Sequence, residues 1–246
     1  REMVCLQKWN RVYLSWSSCR SSKGKEMKSI KKFLFYIFII SSFLSHSQTL
    51  EKIPSESDSI YATVCYKLAE ECIQNGQNDS AIYLFTEVLS IFPKDPAIYC
   101  YRGNLKYQNK SYSDAIADFT KCLNLNPENI DDLNGDAYGF RGIVKLEVKD
   151  YYGAISDLTM ALELGPNMGM YCYYRANAKL DLEDYIGSIS DYTEAMKLDS
   201  NYRIQSYTNR GIAKALSNDS QGACFDWEQA VRFGGERAKM LLERCR

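Results

Sequence analysis

One short sequence pattern recurs through most of this chain at nearly constant spacing. The stretch 99–106 reads YCYRGNLK, and related stretches follow as YGFRGIVK at 138–145, CYYRANAK at 172–179 and YTNRGIAK at 207–214. After each of them, a short polar turn leads into a second apolar segment. A chain that repeats itself with a period of 34 to 39 residues is restricted to a stack of similar units, each holding two segments.

The second segment of each unit has the spacing of an amphipathic helix. In 112–127, YSDAIADFTKCLNLNP, apolar or small residues recur at Ala115, Ile116, Phe119, Cys122 and Leu123. This i, i+1, i+4, i+7, i+8 pattern lies on one face of a helix. Equivalent segments are 78–93, 151–166, 185–200 and 220–235, and prolines at 93, 127 and 166 end three of the units.

The repeated unit resembles the tetratricopeptide repeat, a pair of helices that pack through small residues. Gly103 and Ala115 occupy two small-residue positions of that family, and Phe119 occupies its large position. The resemblance implies an all-α fold, an α-solenoid of about five helix pairs with a C-terminal capping helix. The units fall at 62–95, 96–129, 135–168, 169–202 and 204–235, with an insertion at 130–134 and the cap at 236–246.

The N-terminal region has the three-part pattern of a secretory signal peptide. Residues 27–47, MKSIKKFLFYIFIISSFLSHS, combine a basic start, an apolar run and small residues before a cleavage point. The run covers about 12 residues, whereas a membrane-spanning helix needs roughly 20, so cleavage is favoured over an uncleaved anchor. We expect a bacterial protein that is periplasmic or secreted, with 1–26 a non-native or mistranslated extension and 48–61 a linker.

The charge of the expected mature chain, 48–246, limits its partners. It holds 21 Lys and Arg against 29 Asp and Glu, a formal net charge of −8. Such an acidic chain is poorly suited to neutralising phosphates, which argues against nucleic acid as a partner. It has no His, and no nucleophile elbow or phosphate-binding loop is found in it. We therefore expect neither catalysis nor a cofactor.

Four arginines of the repeated pattern each precede an aspartate by 16 residues. One interpretation makes the Arg and a nearby Lys a ladder that grips an anionic ligand. The other, which we favour, makes each Arg and Asp an ion pair between the two helices of a unit. In the first unit Leu68 and Leu84 replace both charges together, which a ligand ladder would not require. The expected pairs are Arg102 with Asp118, Arg141 with Asp157, Arg175 with Asp191, and Arg210 with Asp226. Pairing of each Arg with the Asp of the preceding unit is the nearest competitor.

Seven cysteines remain after the expected cleavage, an odd number at irregular spacing that is not typical of a disulfide scaffold. Most lie on helix-like stretches, where Cys acts as a small apolar residue. Cys224 and Cys245 lie in the last unit and the cap. Export to an oxidising compartment would allow a disulfide between them, provided that their Cα atoms come within about 7 Å; otherwise both stay thiols.

The family resemblance implies that ligands bind in the concave groove lined by the first helix of each unit. The corresponding residues form a mixed set of aromatic, amide and acidic side chains: Tyr66, Glu70, Gln74, Asn104, Tyr107, Gln108, Tyr173, Asn177 and Asp181. This set fits a neutral or basic peptide and lacks the basic clamp for carboxylates. We therefore expect a protein–protein interaction scaffold. The alternative is a structural subunit of an envelope assembly that contacts partners by its convex face or its ends.

Overall fold

The structure of the chain is a computed structural model that describes residues 54–128, 133–165 and 169–245. Eleven α-helices and two short 3₁₀ turns occupy these residues, with no strand among them, as the all-α prediction requires. The predicted signal peptide at 27–47, the extension at 1–26, the linker up to residue 53 and residues 130–132 of the insertion lie outside the described residues.

The described residues divide after Ser111 into two compact units. The first unit contains α1 (Glu56–Gln74), α2 (Asn78–Ile91) and α3 (Pro96–Gln108). The second unit contains α4 (Tyr112–Leu125), α5 (Leu133–Glu147), α6 (Tyr151–Leu164), α7 (Gly169–Asp181), α8 (Tyr185–Leu198), α9 (Arg203–Leu216), α10 (Ser220–Arg232) and α11 (Glu236–Leu242). Within each unit, helices that follow one another in the chain pack together.

Helix α1 begins six residues before the predicted first repeat, so 56–61 is helix rather than linker. The side chain of Ser55 accepts a hydrogen bond from the Asp58 backbone N–H, and the Asp58 carboxylate accepts one from the Ser55 backbone N–H. This capping box satisfies two N–H groups that a helix start leaves unpaired. The added turn is held to α2 by Tyr61, whose hydroxyl donates to Glu87 Oε2 at 3.0 Å.

Small residues set the close approach of paired helices in both units. In the first unit, Ala69 on α1 and Ala81 on α2 are fully buried. In the second unit, a Cβ added to Gly142 would lie 2.8 Å from Leu158 Cγ, and one added to Gly211 would collide with the Trp227 ring. The family's small-residue positions therefore mark where the two helices of a pair touch.

A common turn joins the paired helices of the second unit. One residue in each turn has a left-handed backbone, with φ of 64° at Lys149, 63° at Glu183 and 67° at Asn218. The next residue is an aspartate that caps the following helix; Asp150 Oδ1, for example, accepts from the Gly153 N–H at 3.1 Å. A left-handed residue reverses the chain quickly, and the cap restarts it as helix.

Candidate functional site

The guanidinium of Arg141 on α5 is held by the carboxylate of Asp157 on α6. Its Nε and Nη2 donate to the two carboxylate oxygens at 2.7 and 2.8 Å. Lys145, one turn after Arg141, places its Nζ 2.8 Å from the same carboxylate. The Asp157 side chain is only 5% exposed. The cations thus neutralise a buried charge within their own repeat.

The same arrangement occurs in the next two repeats. Arg175 and Arg210 also make two hydrogen bonds each to their aspartates, at 2.7 to 2.8 Å. Lys179 and Lys214 lie 2.8 and 2.9 Å from those carboxylates. The hydrogen bond with Asp191 raises the pKa of Arg175, although burial acts in the opposite direction. Arg102 belongs to the first unit and Asp118 to the second, so that pair stays a prediction.

Each of these arginines also contacts the preceding repeat through a threonine. The third nitrogen, Nη1, of Arg141 donates to Thr120 Oγ1 at 3.0 Å. The remaining contacts are Arg102 to Thr86 at 3.0 Å, Arg175 to Thr159 at 3.2 Å and Arg210 to Thr193 at 2.8 Å. The competing prediction, in which Arg pairs with the preceding repeat's Asp, is therefore wrong for Arg141, Arg175 and Arg210, because the preceding repeat supplies a hydroxyl.

The threonines were missed in the sequence, although a signal was present there. Thr follows the large residue of the second helix in the four repeats that precede an arginine-bearing repeat. In the last repeat, which precedes no such arginine, the corresponding residue is Glu228. Comparison of repeats within the chain would have linked each Thr to the Arg of the next repeat.

In the first repeat, an apolar contact replaces the ion pair. Leu84 on α2 is fully buried, and Leu68 on α1 packs against the same core. The predicted groove residue Tyr66 packs there as well, with its ring centroid 5.8 Å from that of Phe85. Burial raises the pKa of Tyr66 to about 12. Tyr66 is therefore partly a packing residue.

The other predicted groove residues of the first unit differ in exposure. Glu70 and Gln74 on α1 are exposed, whereas Asn104 and Tyr107 on α3 are half-buried. Gln108 is exposed, and its Oε1 accepts a hydrogen bond from Asn78 Nδ2 at 3.0 Å.

In the second unit, two predicted groove residues belong to one hydrogen-bond network. Asn177 Oδ1 accepts from the Tyr192 hydroxyl at 2.6 Å and from Asn209 Nδ2 at 3.1 Å. The same Asn209 nitrogen lies 3.3 Å from the Tyr173 hydroxyl oxygen, to which it donates. We call these four residues, from α7, α8 and α9, the amide–tyrosine network. Sequence reasoning found Tyr173 and Asn177 but missed Tyr192, which lies in the same repeat as Asn177, and Asn209, whose contacts cross between repeats.

The network leaves part of its hydrogen-bonding capacity unused. Asn177 has two Nδ2 hydrogens, Asn209 has its Oδ1 acceptor, and Tyr173 has its own hydroxyl hydrogen. Within the described part of the chain, no residue takes these hydrogens or donates to that oxygen. Tyr173, Asn177 and Asn209 are all only half-buried. The network therefore presents fixed donors and an acceptor to whatever lies beside α7 and α9.

Aromatic rings and charges surround this network. The Tyr173 ring centroid lies 5.4 Å from that of Tyr174 and 5.1 Å from that of Tyr202. Burial raises the pKa of Tyr192; the charge of Asp181 acts in the same direction, and that of Arg237 opposes it. Asp181, the last predicted groove residue, is exposed. The surroundings are thus aromatic, with charges of both signs close by.

The structure joins Cys224 on α10 to Cys245 after α11 in a disulfide bond, with Cα atoms 5.9 Å apart. Cys72, Cys100 and Cys122 are disulfide-bonded as well. The sequence interpretation of most cysteines as small apolar residues without a disulfide is therefore wrong for these three. Cys65 and Cys172 are buried thiols and fit that interpretation.

Two family models, both described as tetratricopeptide repeat, match residues 62–95 and 96–129. The chain therefore contains tetratricopeptide repeats. The matched ranges are the ones predicted for the first two repeats. No curated protein matches the chain.

Solved structures extend the likeness over most of this tetratricopeptide-repeat chain. MamA residues 41–end from Desulfovibrio magneticus RS-1 align with a TM-score of 0.64 and 21% identity, covering 76% of this chain and 97% of that one. YrrB, described as a tetratricopeptide-repeat protein with an unusual peptide-binding site, aligns with a TM-score of 0.64 and 17% identity, covering 74% and 92%. At these identities, the likeness shows the fold, an α-solenoid of helix pairs.

Among the described residues, no helix combines the length and apolar character needed to cross a bilayer. No group of His, Cys, Asp and Glu within those same ranges is arranged to hold a metal ion.

Proposed function

We propose that this protein is a non-catalytic scaffold that binds an extended peptide segment along the first helices of the second unit. The tetratricopeptide repeats support a role in protein–protein interaction. The observation that carries the finer proposal is the amide–tyrosine network and its unused donors and acceptor. YrrB, which has the same fold, is described as having a peptide-binding site.

The network suits a peptide main chain because its hydrogen-bonding groups match. An extended peptide offers an unpaired C=O and N–H at each residue. Asn177 Nδ2 can donate to such a carbonyl, and Asn209 Oδ1 can accept from such an N–H. The contacts with Tyr192 and Tyr173 hold both amides in place before binding, which lowers the entropy lost when a ligand is bound.

The surroundings favour a neutral or basic segment with apolar side chains. The rings of Tyr173, Tyr174 and Tyr202 provide apolar contact area beside the network. Glu147 and Asp181, at the ends of α5 and α7, are exposed acidic side chains. Arg237 introduces one positive charge near Tyr192, so a segment with a single carboxylate is also compatible, whereas a strongly acidic segment is not.

A peptide array with matched variants tests this proposal. The probe is an array of capped 12-residue peptides that range from acidic through neutral to basic, incubated with the full chain. We expect the neutral and basic members to bind, and Asn177→Ala or Asn209→Ala to weaken that binding about tenfold, because a peptide group loses its partner. Ser190→Ala, an exposed change on α8, is the control. Equal binding by all variants, with unchanged circular dichroism, would contradict the proposal.

We also propose that the protein is exported from a bacterial cell, since 27–47 has the pattern of a signal peptide. Expression of the full chain in a bacterium, followed by fractionation and intact-mass measurement, tests this. A periplasmic or released product that begins at Gln48 is the expected result. A cytoplasmic product of unprocessed mass would contradict export without bearing on peptide binding.

The alternative role, a structural subunit that contacts partners away from the groove, is favoured by one observation. Tyr152 on α6 and Ile186 on α8 occupy the same place in neighbouring repeats and are 78% and 83% exposed. In the array experiment, the double variant Tyr152→Ser with Ile186→Ser should leave peptide binding unchanged. If it abolishes the binding of partners from envelope extracts while Asn177→Ala does not, the alternative replaces the groove proposal.

A further inference from the structure

The C-terminal helix α11 covers the end of the second unit but has few contacts of its own. It holds seven residues, and a helix this short is not stable alone in water. Ala238 is its one buried residue, and Leu241 and Leu242 pack partly against the core of the last repeat. The disulfide from Cys245 to Cys224 fastens the chain immediately after this helix to α10.

The core beneath α11 is apolar and would be exposed without the helix. Ala223, Trp227 and Ala230 on α10 form one buried cluster with Ala238. Trp227 is only 5% exposed. The ends of helical solenoids need a cap, because the last repeat otherwise presents its apolar face to water. The attachment of α11 therefore decides whether this end of the protein is closed or open.

The disulfide lies where a small thiol can reach it. Both cysteines line an open surface cleft of about 540 Å³, together with Phe225, Glu228 and Arg244 among others. Phe225 is 56% exposed. The two free thiols of the described chain, Cys65 and Cys172, are by contrast buried inside their repeats. An accessible disulfide is a suitable target, because the thiolate that attacks in exchange must reach one of its sulfur atoms.

We propose that Cys224–Cys245 is a thiol–disulfide exchange site at which a dithiol reductant opens the C-terminal cap. A thiolate of the reductant attacks one Sγ and forms a mixed disulfide, and the other cysteine leaves as a thiolate and takes up a proton. The second thiol of the reductant then displaces the first cysteine, so the reductant leaves as a disulfide and both cysteines become thiols. Two electrons pass from the reductant to the protein.

The size of the effect follows from the loop that the bond closes. The two cysteines are 21 residues apart. A disulfide that closes a loop of that length reduces the conformational freedom of the chain when the cap is detached. It thereby shifts the equilibrium between the attached and the detached cap by about 100-fold toward the attached form. Reduction should therefore raise the population of the detached cap by about that factor. Backbone amides of α11, which exchange when the cap detaches, should exchange with solvent deuterium about 100-fold faster.

Hydrogen exchange of the full chain, read by mass spectrometry with and without dithiothreitol, tests the proposal. Because Cys72, Cys100 and Cys122 are also disulfide-bonded, the matched control is Cys224→Ser with Cys245→Ser, which keeps the other bonds. We expect reduction to accelerate exchange over 236–245 in the natural chain. In the double variant, exchange there should be fast already and insensitive to dithiothreitol. Alkylation mapping in the same samples reports which cysteines were reduced.

Three outcomes would overturn the proposal. The first is that dithiothreitol leaves Cys224–Cys245 intact in the folded protein, which would mean that the site does not exchange. The second is that the bond is reduced while exchange over 236–245 stays unchanged, which would mean that the bond does not hold the cap. The third is an equal acceleration in the double variant, which would assign the effect to the other disulfides.

Discussion

The first repeat and the later repeats carry different side chains at the same two positions between their paired helices. Between α1 and α2, Leu68 and the fully buried Leu84 meet in an apolar core. Between α5 and α6, Arg141 and Asp157 occupy the corresponding places as an ion pair with two hydrogen bonds. The helix pair keeps its small residues, its left-handed turn residue and its chain direction in both cases.

The ion pair of the later repeats differs from the leucine pair because its arginine also contacts the preceding repeat. A leucine pair contributes burial within one repeat, whereas the guanidinium of Arg141 has a third nitrogen that donates to Thr120 of the preceding repeat. Arg175 and Arg210 do the same with Thr159 and Thr193. Burying the ion pair costs free energy of desolvation. In return, the arginine links neighbouring repeats as well as the two helices of one repeat.

The largest expected effect comes from breaking one ion pair. Arg141→Leu should lower the free energy of unfolding by about 3 kcal/mol, because it leaves a buried carboxylate with Lys145 as its only cation. Denaturant unfolding followed by circular dichroism measures this loss.

The double variant Arg141→Leu with Asp157→Leu recreates the pair found in the first repeat and should recover most of that loss. If it unfolds as easily as the single variant, the two kinds of repeat are not interchangeable, and the ion pair has a role that apolar packing cannot replace.

A smaller effect is expected from the link between repeats. Thr159→Val keeps the shape of the side chain but removes the acceptor for Arg175, and should cost about 1 kcal/mol. Thr63→Val on α1 is the matched control, since its hydroxyl bonds only to a carbonyl of its own helix. Equal stability changes for the two variants, measured by denaturant unfolding, would mean that the link contributes nothing specific.

The smallest effect concerns two buried thiols at the same place in different repeats. Burial raises the pKa of Cys65 to about 12 and that of Cys172 to about 11, with Arg175 lowering the latter. Both pKa values exceed the ordinary value of 9 for a thiol. The folded state therefore favours the neutral thiols, and their contribution to the free energy of unfolding is fully present below pH 9. That contribution is lost as the pH rises to about 11 for Cys172 and about 12 for Cys65. Titration of ¹³Cβ-labelled cysteines should show both thiols ionising above the ordinary pKa of 9. Ionisation of either thiol at or below pH 9 in the folded protein would contradict the effect of burial.

The sequence predicted the features that depend on spacing within one repeat. The helix pairs, the small residues at their contact and the 16-residue offset from Arg141 to Asp157 all follow from a single repeat unit. The additional first turns of α1 were missed because they precede the family pattern, although the capping box of Ser55 and Asp58 is visible in the sequence.

Contacts between repeats were harder to predict. Asn209 reaches Asn177 and Tyr173, which lie 32 and 36 residues earlier in the preceding repeat. Such pairs depend on the rotation between one repeat and the next, which no local pattern specifies. The same reason explains why Thr159 was not recognised as a partner of Arg175, although both recur regularly in the chain.

The recurrence of Thr, Arg and Asp at fixed places also makes the repeats of the second unit exchangeable. Removal of 169–202 would join the repeat that contains Thr159 to the repeat that contains Arg210. Thr159 would then take the place of Thr193, which now accepts a hydrogen bond from Arg210. The contact between Thr and Arg at the new junction would match the old one, although the contacts of Asn209 with Asn177 and Tyr173 would be lost. A gene that encodes such a chain can lengthen or shorten by whole repeats and keep this one contact at each junction.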